Sequence, residues 1–252
     1  MAPSLEHSHD PKAIRRRLAT APKPSYLRDA ILGGIDGCVT TIAVVAGVAG
    51  AGLPGMVAFV LGAASLVADA FSMAVSNYQG VKSDEDARHR LREQERRHID
   101  LAPQGEREEI RVIFEAKGFS GETLERIVDT ITEDRERWVD TMVQEEYGLA
   151  LRGPSPAVAG AATFSVFLLA GALPLLPFLL PALGGQEYFI ASAGVAIGVL
   201  FAIGYIKGII LDIPRWRAGL ETLLMGGAAA VIAFAFGYIL EPMLGDLALV
   251  RG

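Results

Sequence analysis

An all-α membrane protein is the fold class this sequence predicts: five transmembrane helices, with an acidic helical module inserted between the second and the third. Three observations carry the prediction. Five apolar runs approach the roughly 20 residues that a helix needs to cross a bilayer core. The charge is concentrated elsewhere, since the stretch from Lys82 to Arg152 holds 19 of the 29 acidic and 13 of the 23 basic residues. Inside that stretch the apolar residues recur at helical spacing and show no strand alternation.

The runs lie at about 28–52, 55–78, 157–181, 187–211 and 218–241. They are separated by the turn AGLPG, the charged module, PALGGQE and LDIPRWR. The domains follow as an N-terminal segment 1–25, spans one and two within 26–81, the module 82–153, and spans three to five with the C-terminus in 154–252. Five crossings place the termini on opposite sides. Lys12, Arg15, Arg16, Arg17, Lys23 and Arg28 precede the first span, Lys207, Arg215 and Arg217 surround the fourth connection, and the other short turns hold neither Lys nor Arg. By the positive-inside rule the N-terminus and the module are cytosolic and the C-terminus lies on the far side. A prokaryotic inner membrane and a eukaryotic vacuolar membrane fit this pattern equally. The polar start is not followed by a short apolar region with a cleavage site, so no cleaved signal peptide is expected.

Within the module, SDEDARHRLREQERRHIDL continues the second span, and GEREEIRVIFEAKGF is a short helix ended by Gly118. A helix capped by Ser120 then runs, whole or broken in two, to Gly148. Ile110, Ile113, Phe114, Ile127, Ile131 and Trp138 are enough for a small bundle but marginal as a core of their own.

Two regions carry residues suited to chemistry. At 1.5 Å per residue Asp36 lies roughly 12 Å and Asp69 roughly 13 Å inside the membrane, at one level on adjacent helices. Met73 and Asn77 share the face of Asp69, as Asp29 and Thr40 share that of Asp36. An intramembrane acid is costly and ordinarily faces a cavity, a partner or a pathway; the alternatives are a local backbone cap or a basic partner near the surface. A methionine in an apolar helix is ordinarily packing, yet a thioether beside carboxylates favours later transition metals over Mg²⁺ or Ca²⁺. In the module, Glu95 with His98, Glu106 with Glu109, and Met142 with Glu146 each share a helical face. Facing one another, they would form a mixed O, N and S site for Fe²⁺, Mn²⁺, Co²⁺ or Zn²⁺; taken alone, each pair is ordinarily a solvated, salt-bridged face. Glu221 reads either as a functional acid or as a charge favoured at a helix N-terminus. His7 and His9 could bind metal loosely, but two histidines are not a site. The single cysteine, Cys38, excludes a disulfide framework or a cysteine-rich zinc site within one chain. No phosphate-binding loop, no nucleophile with its base and no basic nucleic-acid surface is present, so neither an enzyme, nor a catalytic cofactor, nor a nucleic-acid partner is expected.

The motifs DAILGGIDG, FSMAVSNYQGVKSDED, WVDTMVQEEYGL, GALPLLPFLL and GLETLLMGGAAA occur in this order over residues 26–242. In that order they resemble the vacuolar iron transporter family, in the form that has a metal-binding module. The resemblance implies a homodimeric antiporter that exports cytosolic Fe²⁺, and often Mn²⁺, in exchange for protons. It implies that Asp36 and Met73 bind the ion in transit at the dimer interface. Glu95, Glu106, Glu109, Met142 and Glu146 fall on the module's ligand positions. His98 stands where a glutamate is usual, Val143 where a second methionine is expected, and Ser65 where the second span ordinarily carries a glutamate proposed to move ions and protons. Asp69, one turn on, suits a relocated acid that keeps the function; altered ion preference or weaker proton coupling is the rival. From another class, a membrane-anchored metal buffer or sensor would use the module alone. A di-iron enzyme would want paired Glu-x-x-His motifs, and only Glu95 to His98 fits.

Overall fold

The computed structural model describes residues 8–19 and 24–250, the last seven of these as backbone only. Helix α1 (Pro11–Ala19) precedes the first membrane helix α2 (Leu27–Gly50). Helix α3 (Gly55–Leu101) is followed by α4 (Pro103–Ala116), α5 (Gly121–Thr132) and α6 (Arg135–Glu145). Helix α7 (Pro156–Ala172), α8 (Glu187–Ile210) and α9 (Arg215–Val250) complete the chain. Five helical segments are long and apolar enough to cross a bilayer, the third of them running from Pro156 to Leu179, and no strand occurs among the described residues. The protein is an integral membrane protein with the five-helix architecture expected.

Helix α2 is the hub, packed against α7, α9, α3 and α8. Its glycines permit this: a Cβ on Gly37 would collide with the main-chain carbonyl of Phe167 on α7, and one on Gly50 with that of Phe234 on α9. Small residues let membrane helices approach backbone to backbone, where packing rather than hydrophobic exclusion drives association. Gly37→Leu is therefore expected to wedge α2 from α7 at a cost of about 3 kcal/mol. The check is the thermal unfolding midpoint of the detergent-purified protein; an unchanged midpoint would contradict this packing account.

Three local features differ from the expectation. Residues 11–19, read as a polar lead, form a helix because Asp10 accepts from the amides of Lys12 and Ala13 at 3.0 and 3.2 Å, an N-cap ahead of Pro11 in the first turn. His7 lies outside the described residues. The third span is α-helical only to Ala172 and continues as a 3₁₀ segment, Leu173–Leu179. Pro174 and Pro177 have no amide hydrogen to give to the α ladder; Ser192 instead donates to the Pro174 carbonyl at 2.6 Å. In the module, Ser120 occupies the N-cap position of α5 without a side-chain cap bond, so its expected role is corrected to position alone. Asp134 is the working cap, accepting from the Arg137 amide at 3.0 Å, and it divides the last segment into α5 and α6.

Helix α3 is a single rod of 47 residues. About 70 Å long at 1.5 Å per residue, it spans the bilayer and stands well beyond it. Its far end completes the module core, where Ile99 joins Ile110, Leu124, Val128, Ile131, Trp138, Val139, Met142 and Val143. Of the apolar residues read from the sequence, Ile113, Phe114 and Ile127 flank this core rather than fill it.

Candidate metal sites

The intramembrane residues come first along α2 and α3. Asp36 and Asp69 are each half-buried and close enough to act on one another electrostatically. Ser65, one turn before Asp69, donates its hydroxyl to Asp69 Oδ2 at 2.6 Å. A cavity of about 970 Å³ opens where α2 begins and α8 ends. Arg28 and Lys207 line its mouth, and Asp36, Val39, Met73 and Met225 lie deeper along it. Asp69 is not among the residues lining this cavity; its carboxylate is held by Ser65.

The polar stripe expected on the two helices divides into parts with different work. Asn77 donates to Asp29 Oδ1 at 2.9 Å, to Thr163 Oγ1 at 2.8 Å and to the Ala159 carbonyl at 3.2 Å. Buried Asp29 and Asn77 thus fasten α2, α3 and α7 together, and their polar groups are spent on one another.

The module site is built at the free end of α3. Glu95 and His98, three residues apart, share its inner face beside buried Ile99. The chain breaks at Ala102, and Pro103 begins α4. This reversal brings Glu106, in the first turn of α4, back against Glu95; a carboxylate suits that position next to the helix N-terminus. Glu95, His98 and Glu106 each offer a ligand atom within 4.8 Å of the others. His98 Nδ1 stands 3.3 Å from Glu106 Oε1 and 3.9 Å from Glu95 Oε1. Glu109 and Glu146 lie at the exposed rim, outside the compact triplet but within electrostatic reach of Glu106. Met142 is fully buried in the module core.

Most acidic side chains of the module have a cationic neighbour. Arg96 binds Glu136, Arg92 binds Asp140, Arg111 binds Glu125 and Arg135 binds Asp100. The two that are buried do not: Glu95 is 1% and Glu106 5% exposed, and among the described residues their ion-pair contacts are to His98 alone. Glu95 Oε2 and Glu106 Oε2 are buried with no hydrogen-bond partner among the described residues. Burial, then the neighbouring charges of Glu109 and Glu95, pushes the Glu106 carboxyl up to about 7. Burial and then Glu95 raise Glu146 as well. Buried carboxylate oxygens left unpaired are costly, and a divalent cation is the partner that would satisfy two at once.

The sequence profile of the VIT family matches residues 27–238. The chain belongs to this family. Among proteins similar to it are Vacuolar iron transporter 1 of Arabidopsis thaliana, 29% identical over 85% of this chain and 86% of that protein, and Vacuolar iron transporter of Toxoplasma gondii, 30% identical over 90% and 78%. Vacuolar iron transporter of Centaurea cyanus is 31% identical over 82% of this chain and 85% of its own length. The VIT family match takes in both the cavity and the module triplet.

Three residues near the cavity and the module triplet escaped the sequence reading as site residues. Lys207 was noticed only as a charge that orients the chain, and Met225 not at all, because nothing in their own helices shows that they share a cavity with Asp36. Tyr147, whose hydroxyl donates to Glu95 Oε1 at 3.0 Å, was legible only as the neighbour of Glu146 in EEYGL.

Proposed function

We propose that this protein exports Fe²⁺, with Mn²⁺ also accepted, from the cytosol in exchange for protons, and works as a homodimer. The module captures the ion in the cytosol through Glu95, His98 and Glu106, with Glu109, Met142 and Glu146 completing the ligand set. Asp36 and Met73, with Asp69 beside them, carry it through the membrane. The observation that carries this reading is the pair of buried, unpartnered carboxylate oxygens next to His98, at the end of the same helix that brings Met73 to the cavity. The names of the relatives support iron as the cargo. Co²⁺ and Zn²⁺ suit the same donors.

The basic residues of the N-terminal segment and of the fourth connection support a cytosolic module, and with that orientation the cavity opens toward the side of the module. The ligands support proton exchange: a carboxylate must lose its proton to bind a metal ion and can regain one after releasing it. Exposed Val60, Leu61, Val67, Phe71 and Val75 on the membrane part of α3 supply an apolar face for lipid or for the second subunit.

Asp36→Ala is expected to reduce Fe²⁺ uptake into proteoliposomes to background. Wild-type uptake should require an opposing proton gradient. Uptake that ignores the gradient would sink the antiport, and uptake that survives Asp36→Ala would sink the pathway. A membrane-anchored buffer is the competing reading, favoured by the separation of about 33 Å along α3 between Met73 and Glu95, at 1.5 Å per residue. Glu106→Ala with Glu109→Ala separates the two readings: as an exporter the protein loses transport at low ion concentration, whereas as a buffer it loses binding alone.

A further inference from the structure

Both buried acids of the module use one carboxylate oxygen within the protein and leave the other free. Glu106 turns Oε1 toward His98 Nδ1, and Oε2 has no partner among the described residues. Glu95 accepts a hydrogen bond on Oε1 from the Tyr147 hydroxyl at 3.0 Å, and its Oε2 has no partner. The phenol is itself held. Gln94, next to Glu95 on α3, donates its amide to the Tyr147 oxygen at 3.3 Å. A phenol has a single proton to give; with its oxygen accepting from Gln94, the hydroxyl donates to Glu95, and the Glu146 carboxylate lies within reach of the same hydroxyl. Tyr147 reaches this place because α6 ends at Glu145 and Gly148 turns the chain at a φ of 65°.

We infer that Tyr147 is the specificity-determining residue of the module: by occupying Glu95 Oε1 it holds Glu95 as a one-oxygen ligand and so biases the site against Ca²⁺. The inference rests on the module reading given above. Ca²⁺ takes six to eight oxygens and commonly claims both oxygens of a carboxylate. A site that presents one oxygen from each of two glutamates, with an imidazole nearby, is poor in oxygen for Ca²⁺. It suits ions that accept nitrogen and sulfur in smaller coordination shells. Tyr147 touches no ion in this scheme; it is a positioning residue, and partners of that kind are worth about 10- to 100-fold in affinity.

The test uses the full-length protein in nanodiscs carrying Asp36→Ala, so that the module dominates the signal, with Co²⁺ as the optical probe and Ca²⁺ as competitor. Tyr147→Phe is expected to weaken Co²⁺ by about tenfold and to narrow the Ca²⁺-to-Co²⁺ ratio of dissociation constants by at least as much. The visible Co²⁺ bands should weaken as the shell gains oxygen. Gln94→Leu keeps the phenol and frees its direction, so a smaller shift of the same sign is expected, and it serves if Tyr147→Phe does not fold. A merely structural role would weaken both ions in parallel; a ratio unchanged in the variants that fold overturns the inference. Glu95→Gln with Glu106→Gln tests the reading beneath it: Co²⁺ bound as tightly as before would remove the module site itself, whatever Tyr147 does.

Discussion

Glu106→Gln is expected to abolish capture of a transition ion by the module and, at the same time, to make the ion-free protein more stable at pH 8. Both effects have one origin. Glu106 is 5% exposed, faces Glu95 and has one oxygen without a partner, and its carboxyl is pushed up to about 7 by burial and by its acidic neighbours. A carboxyl whose folded value lies above its unfolded value favours the fold while protonated. That advantage is whole below about pH 4.5 and is lost as the pH rises toward 7, leaving the ion-free protein strained above it. The shift from 4.5 to about 7 corresponds to about 3 kcal/mol at most. Gln keeps the shape without the charge, so the gain should be near this ceiling at pH 8 and vanish at pH 4. Partners that only orient ligands are worth about 10- to 100-fold in metal affinity, and loss of a ligand itself should exceed that. In the wild type, binding should weaken as the pH falls through 7, because protons compete for Glu106. Thermal unfolding at pH 4 and pH 8, with and without Co²⁺, reads all of this. A variant no more stable than wild type at pH 8 would show that Glu106 is not held against its charge.

The parts of the molecule legible in the sequence are those fixed by solvent and by local spacing. Membrane spans are written in runs of apolar residues, because each must satisfy its backbone internally across the same thickness. Glu95 and His98 share a face by helical arithmetic alone. What the sequence left open depends on which elements meet. Asn77 looked like a continuation of the Asp69 stripe, yet it bonds Asp29 and Thr163, a pairing decided by how α7 docks. Ser120 and Asp134 are both good capping residue types; only the turn into α6 gives its cap an amide in reach. Met225 and Lys207 reach the Asp36 cavity through the packing of α8 and α9 on α2. Glu95 and Glu106 differ from the other module acids in being buried without an arginine or lysine partner among the described residues, and which acids are buried and which are paired is a property of the folded surface.

Asp69→Ala is expected to lower proton-coupled metal uptake by about a hundredfold, the ordinary effect of removing a positioned proton-transfer group. Two facts single this residue out. It stands within electrostatic reach of Asp36, and its Oδ2 accepts from Ser65, at 2.6 Å, the position where the resemblance to the vacuolar iron transporters leads one to expect the acid. One helical turn separates the two positions, so an acid at either lies on nearly the same face; if the acid is relocated, Ser65 is the residue that orients it. The relocation therefore has a stringent test. Ser65→Glu placed in Asp69→Ala should restore uptake and its dependence on the proton gradient, whereas Ser65→Ala alone should cost about tenfold through loss of one charge-assisted hydrogen bond, about 1.5 kcal/mol. If Asp69→Ala transports like wild type, the carboxylate is a passive neighbour of Asp36 and proton coupling must be sought elsewhere. If uptake falls and Ser65→Glu fails to restore it, the acid acts from Asp69 alone, and the level along α3, rather than the face it shares with Ser65, decides where a proton can be exchanged for an ion.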